Sequence, residues 1–166
     1  MLTPRIAGTT WAATPVLTPF VDSLPLPATL AATGTYTETG RGTGPLYDLP
    51  VGEIKHKFHR DLPSSRLWGY KGTFPGPTIV ANSGQPVFVR FANNLKDAPH
   101  PLWSDAFNCL HGPDMSDPPS ARRIITHLHG ARTTTDSDGW PEHTLLPGQV
   151  TAKPFWYPNI QEASTL

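Results

Sequence analysis

Short runs of alternating apolar and polar residues, each closed by a turn signal, organise the chain. Ile54, His56 and Phe58 alternate with Lys55, Lys57 and His59, the period-two pattern of a strand with one covered and one wet face. Pro63-Ser64-Ser65 interrupts it, and Leu67-Trp68-Gly69-Tyr70 begins a second run that ends in the cluster Gly72-Thr73-Phe74-Pro75-Gly76-Pro77. Thr78-Ile79-Val80 leads to a turn at Asn82-Ser83-Gly84. Val87, Val89 and Phe91 then alternate with Phe88, Arg90 and Ala92 as far as Asn93-Asn94. Arg123 to His129 is strand-like, Asp136-Ser137-Asp138-Gly139 is a turn, and Val150 to Tyr157 gives a last strand whose Pro154 suits a sheet edge. No fixed-period repeat is visible. Several short strands separated by turn signals predict an all-β Greek-key sandwich or barrel.

The two ends of this pattern differ in character. Residues 1–45 are crowded with Thr, Pro, Ala and Gly and read as an extended N-terminal arm, with Trp11, Phe20, Leu24 and Leu26 as its docking residues. Residues 46–166 read as the folded domain. The stretch from Pro99 to Pro119 holds five prolines and reads as a long loop.

Composition sharpens the fold class and removes several functions. Pro and Gly supply 20 and 14 of the 166 residues, about a fifth of the chain against an ordinary share of roughly 12%. The longest stretch free of both runs only from Val87 to Ala98, so long helices are excluded. At 166 residues the chain can bury one core. Thirteen Lys and Arg against thirteen Asp and Glu leave no net charge, which removes the electrostatic footprint of a nucleic-acid binder or a polybasic membrane protein. No window approaches the roughly 18 apolar residues of a membrane helix. The single Cys109 forms no internal disulfide, and the first thirty residues lack a charged start and apolar run, so a cytoplasmic setting is expected.

The sharpest chemical feature is Thr126-His127-Leu128-His129-Gly130. On a strand, positions i and i+2 share a face, which puts the two imidazoles side by side with Cα atoms about 6.6 Å apart. Such a pair serves one metal or two, and Gly130 leaves room beside it. Two satisfied or solvent-facing histidines are the plain alternative. Three metal folds that use His-x-His make demands this chain can be tested against. An amidohydrolase barrel needs about 250 residues and a helix after each strand. A metallo-β-lactamase needs Asp where Ala131 stands. A cupin needs Gly where Ala121 stands and Glu where Thr133 or Thr134 stands, and stays as a remote alternative.

A fourth pattern matches at length. Leu67-Trp68-Gly69-Tyr70-Lys71-Gly72-Thr73-Phe74-Pro75-Gly76-Pro77-Thr78-Ile79, Val87-Phe88-Val89-Arg90-Phe91-Ala92-Asn93-Asn94-Leu95, Thr126-His127-Leu128-His129-Gly130 and Asp136-Ser137-Asp138-Gly139-Trp140-Pro141-Glu142 follow in order. Together they resemble the first cupredoxin domain of the multicopper oxidases, nearest to the branch of spore-coat laccase, bilirubin oxidase and phenoxazinone synthase. The resemblance covers roughly Ile54 to Leu166, and Thr18-Pro19-Phe20 with Leu24-Pro25 also looks like that branch's start.

The resemblance implies copper. In such oxidases four His-x-His pairs hold a trinuclear cluster, and the first pair, matched by His127 and His129, gives one ligand to a type 2 and one to a type 3 copper. Asp138 matches an acidic residue that helps deliver protons during dioxygen reduction; a plain turn role is its alternative. The implied activity is one-electron oxidation of small phenolic or similar aromatic substrates coupled to reduction of O2 to water. The partners implied are O2, the aromatic substrate and the family's remaining cupredoxin domains. This chain stops at Ala163-Ser164-Thr165-Leu166, where the family continues into Trp-Tyr-His-Asp-His, the second pair. It is therefore expected to be an N-terminal fragment, incomplete at its C-terminal end, inactive by itself, with the type 1 copper outside it. A stand-alone copper-binding or interaction cupredoxin module is the alternative of a different class.

Other candidates carry less. Cys109-Leu110-His111 with Met115 and His56 or His59 contains the residue types of a blue-copper site, but in the small blue-copper proteins the Cys and His lie further apart, near the chain end. Trp68, Trp103 and Trp140 read as packing residues, and His100 and His143 as loop histidines.

Overall fold

A computed structural model of the chain describes residues 15–96 and 122–162. Cys109 and its neighbours, with Trp11, His100, Trp103, His111 and Met115, lie outside those residues. Among the described residues there is no α-helix, and none is long and apolar enough to cross a membrane. Five strands form one sheet: β1 (Gly34–Glu38), β2 (Gly42–His56), β3 (Ser65–Tyr70), β4 (Val87–Asn93) and β5 (Phe155–Tyr157).

The long β2 organises the sheet. Its first residues return antiparallel along β1, from Glu38↔Gly42 to Gly34↔Leu46, through a tight connection in which Gly40 takes φ +80°. Its last residues, Val51 to His56, pair antiparallel with β3. Along Leu46–Val51 it runs parallel to β4, which in turn takes β5 antiparallel. The all-β class expected from the alternation is the one that forms. Segments outside the strands join by isolated bridges, Thr29 with Thr78, Ala92 with Val150 and Ile124 with Leu145.

The core follows the alternation of β4 and goes beyond it. Val87, Val89 and Phe91 pack with Tyr47, Leu49 and Tyr157, and Leu30, Tyr70, Ile79, Leu145 and Phe155 close around them. Phe88, expected on the wet face, is fully buried as well: the β1–β2 hairpin folds over it, with Tyr36 edge-on at 5.1 Å between ring centroids. A strand in parallel pairing is commonly covered on both faces. Arg90 does reach water, and Asp48 accepts from its Nε at 2.5 Å. Phe58 overran the real strand, since β2 ends at His56; its ring stays half-exposed in a cluster with His56 and Phe74.

The N-terminal segment lies over the sheet, held differently from the way its apolar residues suggest. Phe20, Leu24 and Leu26 are exposed. The attachment is polar: Asp22 accepts from the backbone and side chain of Arg60, the Arg60 guanidinium also donates to the Val21 carbonyl, and the Thr18 carbonyl lies 2.9 Å from His59 Nε2. Further on, Thr78 donates to Ala28 and accepts from Leu30. Strand structure begins at Gly34, within the stretch whose composition reads as an arm.

Candidate metal centre

The segment that carries His127 and His129 is hung from the end of β4 by one buried side chain. Asn93 is fully buried, and its Nδ2 donates to the carbonyls of Arg122 at 2.7 Å and Leu145 at 2.8 Å, while its Oδ1 accepts from the Leu95 amide. Ile124 and Leu145 then exchange both backbone hydrogen bonds. Beyond that bridge residues 125–128 pair with no neighbour among the described residues, so within them the two histidines are set by turns rather than by a pleat. Tyr70 reaches across from β3 and its hydroxyl meets Thr126 Oγ1 at 2.9 Å, fixing the residue before His127.

The two imidazoles nevertheless stand together, with ring centroids 6.3 Å apart and planes tilted by 41°. Both are exposed. Gly130 follows at φ +73°, turning the chain away from the pair. Asp138, the third residue singled out in the sequence, is brought to the same place, but chiefly through its backbone. Its carbonyl oxygen lies 2.5 Å from His127 Nδ1, while its Oδ1 stands 3.4 Å from the same nitrogen. A carbonyl only accepts, so Nδ1 carries the hydrogen and Nε2 is the atom left with a free lone pair.

Four residues to which sequence reasoning gave no such role complete the surroundings. Asn93 looked like a turn marker and is the buried anchor just described. Ser137, 1% exposed, accepts the Trp156 amide at 2.9 Å, and Thr133 donates to the Trp156 carbonyl at 2.6 Å, so the turn before Asp138 is fastened to β5. Arg41, from the β1–β2 connection, donates to both carboxylate oxygens of Asp136 and lies over the Trp156 ring at 5.1 Å. Burial acts to raise the Asp136 carboxyl, but hydrogen bonds from Thr134 and Arg41 and the Arg41 charge outweigh it and hold the group below the usual carboxylate range. Nothing in the local pattern around Arg41 signals a partner 95 residues away.

Beside the pair is a cavity of about 370 Å³ lined by core residues of β2, β4 and β5 together with Tyr70, Ile79, Thr126, His127 and Leu128. Tyr157 is in its wall. Burial, then the neighbouring Tyr70 and the Asp138 charge, push its hydroxyl well above the ordinary phenol range, so it remains a neutral O–H.

As a donor set, two adjacent imidazoles suit copper, one with a defined free nitrogen. Among the described residues no group of three or more His, Cys, Asp or Glu converges on one point, so the pair supplies part of a coordination sphere.

Comparison with known proteins agrees with this chemistry. A multicopper oxidase family model matches residues 53–105, the stretch from late β2 through β4 and beyond. The chain is 37% identical over 153 residues to a laccase of Bacillus subtilis (strain 168), across 89% of this chain and 28% of the laccase. A laccase of Haloferax volcanii is 32% identical over 156 residues, across 92% of this chain and 26% of that protein. Matches of that extent necessarily take in residues 127–138. In fold, a multicopper oxidase from Campylobacter jejuni, described as a metallo-oxidase, superposes with a TM-score of 0.53 at 17% identity, over 83% of this chain and 22% of that one. The chain thus spans about a quarter of the length of the relatives it matches. Strand pattern, paired histidines and relatives agree: residues 53–105 belong to a multicopper oxidase family domain, within a chain similar to laccases over about nine-tenths of its length.

Proposed function

We propose that this chain contributes part of a copper site to an oxidase that takes single electrons from small phenolic or similar aromatic compounds and reduces dioxygen to water. The overall balance is four one-electron oxidations and four protons for each O2 converted to two waters. The observation that carries the proposal is the His127–His129 pair, with one ring nitrogen of His127 already committed to a carbonyl. Copper, when bound, supplies the electron-transfer chemistry and the affinity for oxygen.

The chain's own residues have distinct tasks in this reading. His127 coordinates through Nε2 as a type 2 ligand, and His129 serves as a type 3 ligand. Asp138 has two functions in one residue. Its carbonyl orients His127, and its half-exposed carboxyl holds and passes protons consumed in making water. Further ligands, the type 1 copper and the surface that meets the aromatic reductant are assigned to other domains of the same protein.

The test uses the full gene product. Oxygen uptake with a simple phenol as reductant should be present in the parent and lost in His127→Ala and in His129→Ala. A type 1 copper elsewhere should still accept an electron from the phenol in both variants. Unchanged oxygen uptake in both would return the two histidines to ordinary surface residues.

A further inference from the structure

The turn from Thr133 to Gly139 fits against His127 more closely than a simple connection requires. Gly139 has φ +81°, and a Cβ placed on it would fall on the Thr126 carbonyl and come within 3.0 Å of the His127 Cα. The backbone of the turn therefore lies directly on the backbone of the histidine segment, an approach open only to glycine. One residue earlier, the Asp138 carbonyl receives the His127 Nδ1 hydrogen. Two residues earlier, buried Ser137 accepts from the Trp156 amide, and Thr133 donates to the Trp156 carbonyl. The turn is thus fastened to a sheet strand by two hydrogen bonds to a single peptide residue, with Arg41 holding Asp136 from the other side.

From this geometry we infer that the Thr133–Gly139 turn is a tautomer clamp for His127, with Ser137 and Gly139 as its positioning residues. Ser137 fixes the turn to β5 and Gly139 lets it close on His127. The Asp138 carbonyl, held between them, selects the Nδ1–H form and leaves Nε2 with its lone pair before any metal arrives. A ring nitrogen engaged in this way orients a ligand and settles which atom coordinates. The inference rests on the copper reading for its purpose but not for its test, because the tautomer exists without metal.

The measurement is the imidazole 15N shifts of the full gene product, histidine-labelled and copper-free. It is made at a pH of about 8, well above the ordinary imidazole value of about 6.5, with His127→Gln identifying the signals. The clamp requires a pyrrole-type nitrogen at Nδ1 and a pyridine-type nitrogen at Nε2. Free histidine favours the reverse. In Gly139→Ala and Ser137→Ala the Nδ1 and Nε2 shifts should move toward one another as the second tautomer becomes populated. Ser137→Thr, which keeps the hydroxyl, should restore the parental shifts. A merely structural role for the turn would lower stability in these variants without moving the tautomer.

An Nε2–H form in the parent would overturn the clamp whatever the variants do, including one that fails to fold. So would parental shifts retained in both alanine variants. Copper binding is read separately: an Nδ1–H tautomer with copper content unaffected by His127→Ala would leave the clamp standing and remove the copper role.

Discussion

At Asp138 the backbone and the side chain do different things, and a single substitution separates them. Asp138→Asn keeps the main-chain carbonyl that holds His127 and removes the carboxyl. Copper content should therefore stay near that of the parent while reduction of oxygen slows, by about 10²–10⁴-fold if the carboxyl is the main proton source. Metal analysis and oxygen uptake on the same preparation decide it; copper lost along with activity would show the residue to be only part of the turn. Asn93 gives the corresponding experiment for stability. Asn93→Ala removes the side-chain hydrogen bonds to the Arg122 carbonyl and the Leu95 amide, while the Leu145 carbonyl keeps the Ile124 amide. At about 1–3 kcal/mol for each buried group left unsatisfied, with partial relaxation, a loss of roughly 2–4 kcal/mol is expected. Denaturant unfolding measures it, and a loss below about 0.5 kcal/mol would mean that Asn93 does not carry the histidine segment.

The turn at 133–139 is where charge joins distant elements, and acid should loosen it. The Asp136 carboxyl is held below its ordinary range, so the unfolded chain binds the proton more readily than the folded one. Its contribution is complete above the unfolded value of about 3.9 and is lost as pH falls through the lower folded value. Asp136 is half-exposed, so the contribution is small, below about 1 kcal/mol. Melting temperature followed from pH 6 downward should fall less steeply in Asp136→Asn than in the parent; parallel curves would mean that Arg41 and Asp136 meet without effect on stability.

This element also marks where sequence reading stops. The alternation of Val87, Val89 and Phe91 is dictated by a pleat and was legible. The contact between Arg41 and Asp136 depends on how two loops meet over Trp156, which no local pattern encodes. The same reasoning applies to residues 125–128. Their composition suits a strand, but no strand among the described residues pairs with them, and hydrogen bonds from Asn93 and the turn set their path there. His127, His129 and Asp138 could be singled out because each bears a functional group in a recognisable order. Ser137 and Gly139 act through a buried hydroxyl and an absent Cβ, and neither leaves a chemical signature in the sequence.

For the molecule as a whole, the described residues offer an adjacent imidazole pair and an apolar cavity of about 370 Å³ beside it. That set is too small for chemistry requiring several metals. Residues 1–166 expressed alone should bind one copper at most and oxidise no phenol under oxygen. Turnover by this chain alone would contradict the assignment of further ligands to other domains. The central claim is that His127 and His129 hold copper, and the most direct test is to count it. Copper bound per molecule of the full gene product should fall in His127→Ala, in His129→Ala and further in the double variant, with circular dichroism unchanged. Equal copper in all four proteins would contradict the account.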